Sequence, residues 1–243
     1  MRLDGLASTQ EICDTACPAG DESLPSDTLD RPSPPVRKRD AERTRTALLA
    51  SGLKEFAQNG FMGARLEKIA TGAKCNIRML YHYFGGKKGL YLAVLEAAYA
   101  DLRHRESLIE IDPAKPLEGI LELTRFTVLY FQSHPLFEGL LRAENMMQGR
   151  FVSQLQPVPQ GGSTLKTLIG RLIHNGQAQG LFRPDLDPVQ VYVTITALSR
   201  FHLANAYSMS AVLETDLRDP DWRADRLRHS LEVIAAYVQA KPA

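Results

Sequence analysis

The residue types that could do chemistry in this sequence gather between positions 43 and 87, where cations, amides and phenols stand among a few apolar side chains. They are Arg43, Arg45, Arg65, Lys74, Asn76, Ile77, Arg78, Met79, Tyr81, His82, Tyr83 and Lys87. Guanidinium and ammonium groups bind phosphates, and a guanidinium can also donate two hydrogen bonds to one guanine edge. These types therefore favour non-covalent recognition of a nucleic acid over bond-making chemistry.

Charge is distributed unevenly along the 243 residues, although the net charge is only +1. Residues 1–30 carry one basic and seven acidic side chains, whereas residues 31–90 carry thirteen basic and four acidic ones, a net charge of +9. Residues 91–243 are nearly balanced, with fifteen basic and seventeen acidic side chains. A basic segment of this kind is typical of contact with nucleic acid, and a merely well-solvated surface is the alternative.

Three helices are predicted in the basic segment, in the order of a helix-turn-helix unit. The first is expected over about Asp40–Gln58, the second over Arg65–Gly72 and the third over Asn76–Phe84. Asn76 is a favourable N-cap, and Asn59-Gly60 supplies a left-handed stop for the first helix. In such a unit one helix braces against the DNA backbone while the next enters the major groove.

The third helix is expected to read the bases. Leu80 and Phe84 would hold it to the core of the head, which leaves Arg78, Met79 and His82 facing outward. For Arg78 a bidentate contact with guanine is the favoured interpretation, and a solvated helix charge is the alternative. Met79 and His82 are equally compatible with base contact and with simple exposure.

The run from Leu66 to Leu90, which contains Leu80-Tyr81-x-Tyr83-Phe84-x-x-Lys87-x-x-Leu90, resembles the DNA-binding head of the TetR family. The resemblance extends over residues 42–102, with the helix-turn-helix motif at about 65–84. It implies that Tyr81 donates a hydrogen bond to a DNA phosphate. It also implies that Lys87, at the N-terminus of a long helix, adds its charge to the attraction of that helix for a phosphate. Arg43 and Arg45 are likewise expected on phosphates.

The turn of the motif departs from the pattern of the family. Lys74 stands where the family usually has glycine, so it must adopt a positive φ or shift the turn, and it offers a further phosphate contact. Cys75 replaces a small aliphatic residue. Ile77 replaces a residue that is commonly polar, and it either touches a thymine methyl group or turns inward.

The rest of the chain also predicts helices, so the expected fold is all-α with about nine helices, three in the head and six in the body. The six are expected at about Lys87–Glu110, Pro116–Ser133, Pro135–Leu155, Thr164–Gln179, Pro188–Met209 and Asp221–Ala240. Residues 1–39, which are acidic and rich in proline, are predicted to form a disordered tail. Residues 103–243 are predicted to form a C-terminal domain for ligand binding and dimerisation.

The resemblance also implies a homodimer in which the last two helices of each subunit form a four-helix bundle. Their apolar stripes are Val191, Ile195, Leu198 and His202 in the first helix and Leu227, Leu231, Ile234 and Val238 in the second. A pocket for an unknown small-molecule effector is expected among Phe126, Tyr130, Phe137, Leu141, Asn145, Met146, His174 and Gln177. For each of these residues, packing inside the subunit core is the alternative.

Other classes of function find little support in the sequence. There is no His-Glu-x-x-His motif, no nucleophile elbow and no phosphate-binding glycine loop, and Cys13-x-x-x-Cys17 lacks a second pair of metal ligands. No enzymatic activity, cofactor or metal is therefore expected. No apolar run suits a membrane span and no secretion signal is recognisable, so a cytoplasmic protein is expected.

Together these features predict a ligand-responsive transcription regulator, with a repressor as the favoured interpretation, that binds double-stranded palindromic operator DNA as a dimer. Two alternatives remain open from the residues themselves. One is a helical binding module that uses its basic head for another acidic partner, and the other is an architectural DNA binder without a small-molecule effector.

Overall fold

In the computed structural model of the protein, residues 36–155 and 165–240 are described. Their helices are α1 (Val36–Gly63), α2 (Leu66–Gly72), α3 (Ile77–Phe84), α4 (Lys87–Ser107), α5 (Pro116–Ser133), α6 (Pro135–Met146), α7 (Leu165–Ala178), α8 (Pro188–Ala204), α9 (Ala206–Leu213) and α10 (Pro220–Val238). One turn of 3-10 helix, Val152–Gln154, follows α6. Within the described ranges there is no β-strand, and Phe182 and Gln239 form an isolated antiparallel bridge.

The predicted all-α fold is confirmed, with ten helices in the described residues where about nine were expected. The additional helix arises because the segment predicted as one helix, Pro188–Met209, breaks at Asn205, whose backbone leaves helical geometry. Similarly, α6 ends at Met146, well before the predicted end, because Gln148 and Gly149 adopt positive φ. The predicted tail lies outside the described residues up to position 35, and α1 begins at Val36.

The head consists of α1, α2, α3 and the first half of α4, which enclose one apolar core. Leu48, Phe56, Ile69, Leu80 and Leu90 are fully buried there. Burying a side chain of this size stabilises a fold by about 1.5–3 kcal/mol. This shared core fixes the position of α3 relative to the other helices of the head.

The body has a second apolar core, to which α5, α7, α8 and α10 contribute. Its most deeply buried members are Ile120, Leu123, Ile169, Leu172, Val191, Ile195, Ile234 and Val238. Since α5 and α8 contact each other and each also contacts α6, α7 and α10, these two helices form the centre of this domain. None of the helices in the described part of the chain combines the length and the apolar character that a bilayer crossing requires.

The head is joined to the body through α6, which packs closely on α1. Gly139 of α6 lies against Ala57 of α1, and a methyl group on Gly139 would come within 2.9 Å of the Ala57 carbonyl oxygen. A larger side chain would push the two helices apart, because packed interiors tolerate little added volume. The orientation of α1 therefore depends on the position of α6.

Candidate nucleic-acid interface

The turn between α2 and α3 is held by two backbone hydrogen bonds. The Cys75 N–H donates to the Ala70 carbonyl (3.0 Å), and the Lys74 N–H donates to the Thr71 carbonyl (3.0 Å). This pair of bonds defines a Schellman motif, in which one residue adopts the left-handed conformation. Lys74 occupies that position with φ of 53°. The turn thus keeps the shape it would have with glycine, and α2 and α3 meet at a fixed angle.

The start of α3 is capped as the sequence predicts. The side-chain oxygen of Asn76 accepts a hydrogen bond from the Arg78 N–H (2.9 Å), which satisfies a donor that would otherwise be free in the first turn. Leu80 is fully buried beneath the helix, and Gly85 ends it in the left-handed conformation with φ of 69°. Because its oxygen is committed to the cap, we expect Asn76 to support DNA binding by fixing α3.

One side of α3 remains open to solvent. Arg78, Tyr81 and His82 are exposed, whereas Ile77 and Met79 are half-buried. We call these five residues the reading face. They combine hydrogen-bond donors with apolar groups that suit a thymine methyl, which is the chemistry that base edges in a major groove require. The reading face lies on a helix anchored at both ends.

Two of the predicted phosphate-binding cations also contact aromatic rings. The guanidinium of Arg45 lies 5.7 Å from the centre of the Phe84 ring at the end of α3. Lys87 is half-buried, its amine donates to the Met62 carbonyl (3.1 Å), and it lies 5.3 Å from the centre of the Phe61 ring. Lys87 therefore braces the start of α4 against the end of α1, and its remaining N–H groups are those available to a phosphate.

The other predicted cations of the head, Arg43, Arg65 and Lys74, are exposed. Lys68 and Lys88, for which the sequence predicted no role, are exposed as well. Lys88 directly follows Lys87 in the first turn of α4, so its place beside a predicted phosphate contact is the signal by which the sequence could have indicated it. Tyr83, in contrast, is half-buried beside the ring of His82 (5.3 Å between ring centres).

We expect Lys74→Gly to stabilise the protein by about 1 kcal/mol, because a side chain in the left-handed conformation is disfavoured by roughly that amount. The same variant should bind DNA more weakly, and the salt dependence of its binding constant should fall by the contribution of about one phosphate contact. Urea unfolding and gel-shift titrations at several salt concentrations measure the two effects. Lys74→Ala is the matched control, since it removes the charge and keeps the strain. A stability of Lys74→Gly no higher than that of Lys74→Ala would contradict the prediction.

A buried carboxylate links the head to the body. Glu144 of α6 is 3% exposed, and one of its oxygens accepts a hydrogen bond from the Tyr91 hydroxyl of α4 (3.0 Å). The other oxygen accepts from the N–H groups of Phe151 (2.6 Å) and Val152 (2.9 Å). Burial and the neighbouring Glu144 raise the pKa of Tyr91, so its hydroxyl remains a donor. No role for Glu144 could be predicted from the sequence, because its partners lie on two other segments, α4 and the chain after α6.

Tyr91→Phe should lower the free energy of unfolding by about 1–3 kcal/mol, because a buried carboxylate loses a donor while the ring still packs. Tyr81→Phe is the matched control: it removes a hydroxyl from a side chain that is 52% exposed, and we expect a change within about 0.5 kcal/mol. Urea denaturation at one protein concentration compares the two variants. Equal stabilities would show that the Tyr91–Glu144 hydrogen bond contributes nothing.

The predicted effector residues do not come together in one pocket. Phe126 and Tyr130 line a cleft of about 1000 Å³ beside α5, and Phe137 and Leu141 are buried next to Tyr130. The remaining four lie elsewhere. Asn145 and Met146 are exposed at the end of α6, His174 is exposed on α7, and the Gln177 amide donates to the carbonyls of Arg183 and Pro184. The spacing of these residues in the sequence does not show which of them share a pocket and which lie on different parts of the body.

The predicted dimer residues need a correction. Val191, Ile195 and His202 of α8 are at most 2% exposed, and Ile234 and Val238 of α10 are fully buried. These five residues belong to the interior of the subunit, so they cannot form the surface that meets a second copy. The other three predicted residues, Leu198, Leu227 and Leu231, are half-buried.

Apolar side chains that are open to solvent lie on another side of α8. Val189, Val193 and Phe201 are 41%, 53% and 55% exposed, and Ala197 between them is also exposed. Their spacing of four residues places them in one stripe along the helix. We call these four residues the α8 stripe. It is the surface of α8 that remains available for a partner.

Burial and the neighbouring Arg226 lower the pKa of His202 from 6.5 to about 4. The unfolded chain takes up this proton near pH 6.5 while the folded protein resists it, so stability is full above that pH and falls towards pH 4. We expect wild type to lose up to about 3 kcal/mol more than His202→Gln over this window. Urea unfolding from pH 7 to 4 at fixed protein concentration tests this, with His229→Gln on an exposed histidine of α10 as control. Parallel curves for wild type and His202→Gln would contradict it.

Two family models match the chain. Residues 48–94 match the model described as bacterial regulatory proteins, tetR family, and residues 116–234 match a tetracyclin repressor-like C-terminal domain. The HTH-type transcriptional repressor NicS of Pseudomonas putida is 37% identical over 192 residues, which cover 79% of this chain and 91% of that protein. The HTH-type transcriptional regulator RutR of Escherichia coli is 28% identical over 75% of this chain and 84% of its own.

Solved structures share the fold at lower sequence identity. The putative transcriptional regulator SCO4942 of Streptomyces coelicolor superposes with a TM-score of 0.61 at 21% identity, covering 80% of this chain and 98% of that one. A TetR transcriptional regulator of Chloroflexus aurantiacus gives 0.57 at 20% identity, covering 84% and 100%. With a capped reading helix, a basic head and two matched domains, the chain belongs to the TetR family of bacterial regulatory proteins.

Proposed function

We propose that the protein is a ligand-responsive transcriptional repressor that binds a palindromic operator as a homodimer. The observation that carries this proposal is the reading face of α3, which presents Arg78, Tyr81 and His82 to solvent on a helix fixed by the Asn76 cap and by Leu80. A helix held in this way enters a major groove without having to order its own backbone. The surrounding cations supply the affinity for phosphates that does not depend on sequence.

Dimerisation is proposed to occur through the α8 stripe. An exposed apolar row on a helix that is buried on its other side is typical of an interface. A two-fold axis would place two reading faces about one helical turn of DNA apart, roughly 34–36 Å, so that each meets one half of the operator. Val193→Lys would place a charge in this interface while leaving the subunit core untouched.

Response to a ligand requires that the body and the head move together. The structure offers two physical links through α6: the buried Glu144 with Tyr91, and the Glu138 carboxylate, which accepts two hydrogen bonds from Arg200 of α8 (2.7 and 3.2 Å). A ligand that prefers one arrangement of α4 and α6 would change the spacing of the two reading faces. A ligand that binds both arrangements equally would have no effect.

Arg78→Ala should weaken binding to an operator selected from random duplexes by about 1–3 kcal/mol, and it should relax the preference at one base position. Gel-shift titration of wild type and variant against the selected and a scrambled duplex measures both effects. Arg228→Ala is the matched control, since Arg228 is an exposed arginine on α10, paired with Asp225 (2.9 Å), far along the chain from the head. Unchanged affinity and base preference in Arg78→Ala would overturn the assignment of the reading face.

A further inference from the structure

A cleft of about 1000 Å³ lies between the end of α4 and one face of α5. The segment that connects the two helices contributes Leu108, Ile109 and Ile111 to its lining, and α5 contributes Phe126 and Leu129. Pockets of this size and largely apolar lining are typical of sites for small molecules.

Three rings follow one another along α5 at the inner side of this cleft. The rings of Phe126 and Tyr130 are 5.7 Å apart and 29° from parallel, and those of Tyr130 and His134 are 4.1 Å apart and 15° from parallel. All three residues line the cleft. Their spacing of four residues places them on one face of the helix. Such a column of stacked rings favours a flat ligand that extends or covers it.

His134 carries an acceptor without a partner in the described part of the chain. Its Nδ1 lies 2.8 Å from the Tyr130 carbonyl oxygen and 2.9 Å from the Ser133 hydroxyl, which itself donates to the carbonyls of Leu129 and Tyr130. Since a carbonyl only accepts and the hydroxyl proton is directed to carbonyls, we assign the ring proton to Nδ1. Burial lowers the pKa of the ring, which keeps it neutral. Nε2 is then a lone-pair acceptor that is closed to water and unpaired, in a residue that is 6% exposed. Unsatisfied buried acceptors are rare and call for a missing donor.

The charges of the cleft argue against an anionic ligand. Three cations and four carboxylates line it, so its net charge is −1 with His134 neutral. Each cation already has a carboxylate neighbour: Arg105 bonds Asp101 (3.0 Å), Lys115 lies 3.2 Å from Glu118, and Arg125 lies 3.5 Å from Glu122. A phosphate or carboxylate would have to displace one of these partners.

We propose that this cleft binds a small, planar, uncharged ring compound whose N–H or O–H group donates a hydrogen bond to Nε2 of His134. The proposal rests on the function proposed above, because it assigns the effector site of a ligand-responsive repressor. Since Nε2 is closed to water in this structure, binding includes a small outward movement of the wall that covers it.

The same cleft is linked to the helix that continues into the head. The Tyr130 hydroxyl donates to the Asp101 carboxylate of α4 (3.2 Å), and Asp101 also holds Arg105. A ligand ring that stacks on the rings of α5 therefore contacts Tyr130, the residue whose hydroxyl connects α5 to α4. Ligand binding at His134 can in this way favour one position of α4 over another.

The test uses indole, a neutral flat ring with one N–H donor, and 1-methylindole, the same ring without the donor. Calorimetric titration into the full chain should give a dissociation constant of about 1 mM or below for indole. The constant for 1-methylindole should be about tenfold weaker, because the hydrogen bond is lost. His134→Phe, which keeps a flat ring and removes Nε2, should abolish the difference between the two probes. His174→Phe, on an exposed histidine of α7 outside this cleft, should preserve it.

Several results would overturn the assignment: equal binding of the two probes to wild type, tighter binding of benzoate than of indole, or no heat of binding at about 5 mM indole. If His134→Phe fails to fold, the test uses nitrogen NMR of the wild-type protein with isotope-labelled histidines in place of that variant. Indole should then shift the Nε2 signal of one buried histidine, 1-methylindole should leave it in place, and a signal unmoved by indole would contradict the proposal. A gel shift without any probe distinguishes failure of this proposal from failure of the proposed function. If the protein does not bind operator DNA in that experiment, the proposed function is contradicted, whereas the cleft is tested only by the titrations.

Discussion

The structure depends on one buried carboxylate. Glu144 receives the Tyr91 hydroxyl from α4 and two backbone N–H groups from the segment after α6. A carboxylate is costly to bury unless its oxygens are satisfied, and here three donors together satisfy both oxygens. Around them the rings of Phe61, Tyr91 and Phe151 meet at 4.6–5.2 Å. The polar contact and its aromatic surround hold the head, α4 and α6 in one arrangement.

This arrangement gives α4 and α6 different tasks. α4 begins at Lys87 beside the reading helix and passes Tyr91 in the head core, and it reaches Asp101, which binds Tyr130 of α5. α6 touches α1 at Gly139 and binds Arg200 of α8 through Glu138. One helix therefore runs from the DNA-binding head to the cleft, and the other connects the head to the helix with the α8 stripe. We expect a change at any of these places to be felt at the others, because packed helices shift between discrete arrangements.

The head could be predicted well from the sequence because its signals are local. The Asn76 cap, the glycines after Phe84 and the inward Leu80 each act within a few residues. The body could not be resolved in the same way. α8 has apolar residues on two sides, Val191 and Ile195 facing the core and Val193 and Phe201 facing solvent, and periodicity cannot tell which side its own subunit covers. The residues predicted for the effector pocket are spread over several places for the same reason, since the packing of the helices decides which of them meet.

Ion pairs are distributed unevenly between the head and the body. Among the described residues, eight of the nine salt bridges lie in the body or at the end of α4, and the one in the head, between Arg43 and Asp40, is long and exposed at 4.0 Å. Yet residues 31–90 hold thirteen of the 29 basic side chains. Cations left without carboxylate neighbours repel one another in the free protein, and an anionic partner relieves that repulsion on binding. The backbone of Lys74 fits the same pattern: a lysine occupies a left-handed position where glycine would be more stable, and its exposed charge is available to an anionic partner.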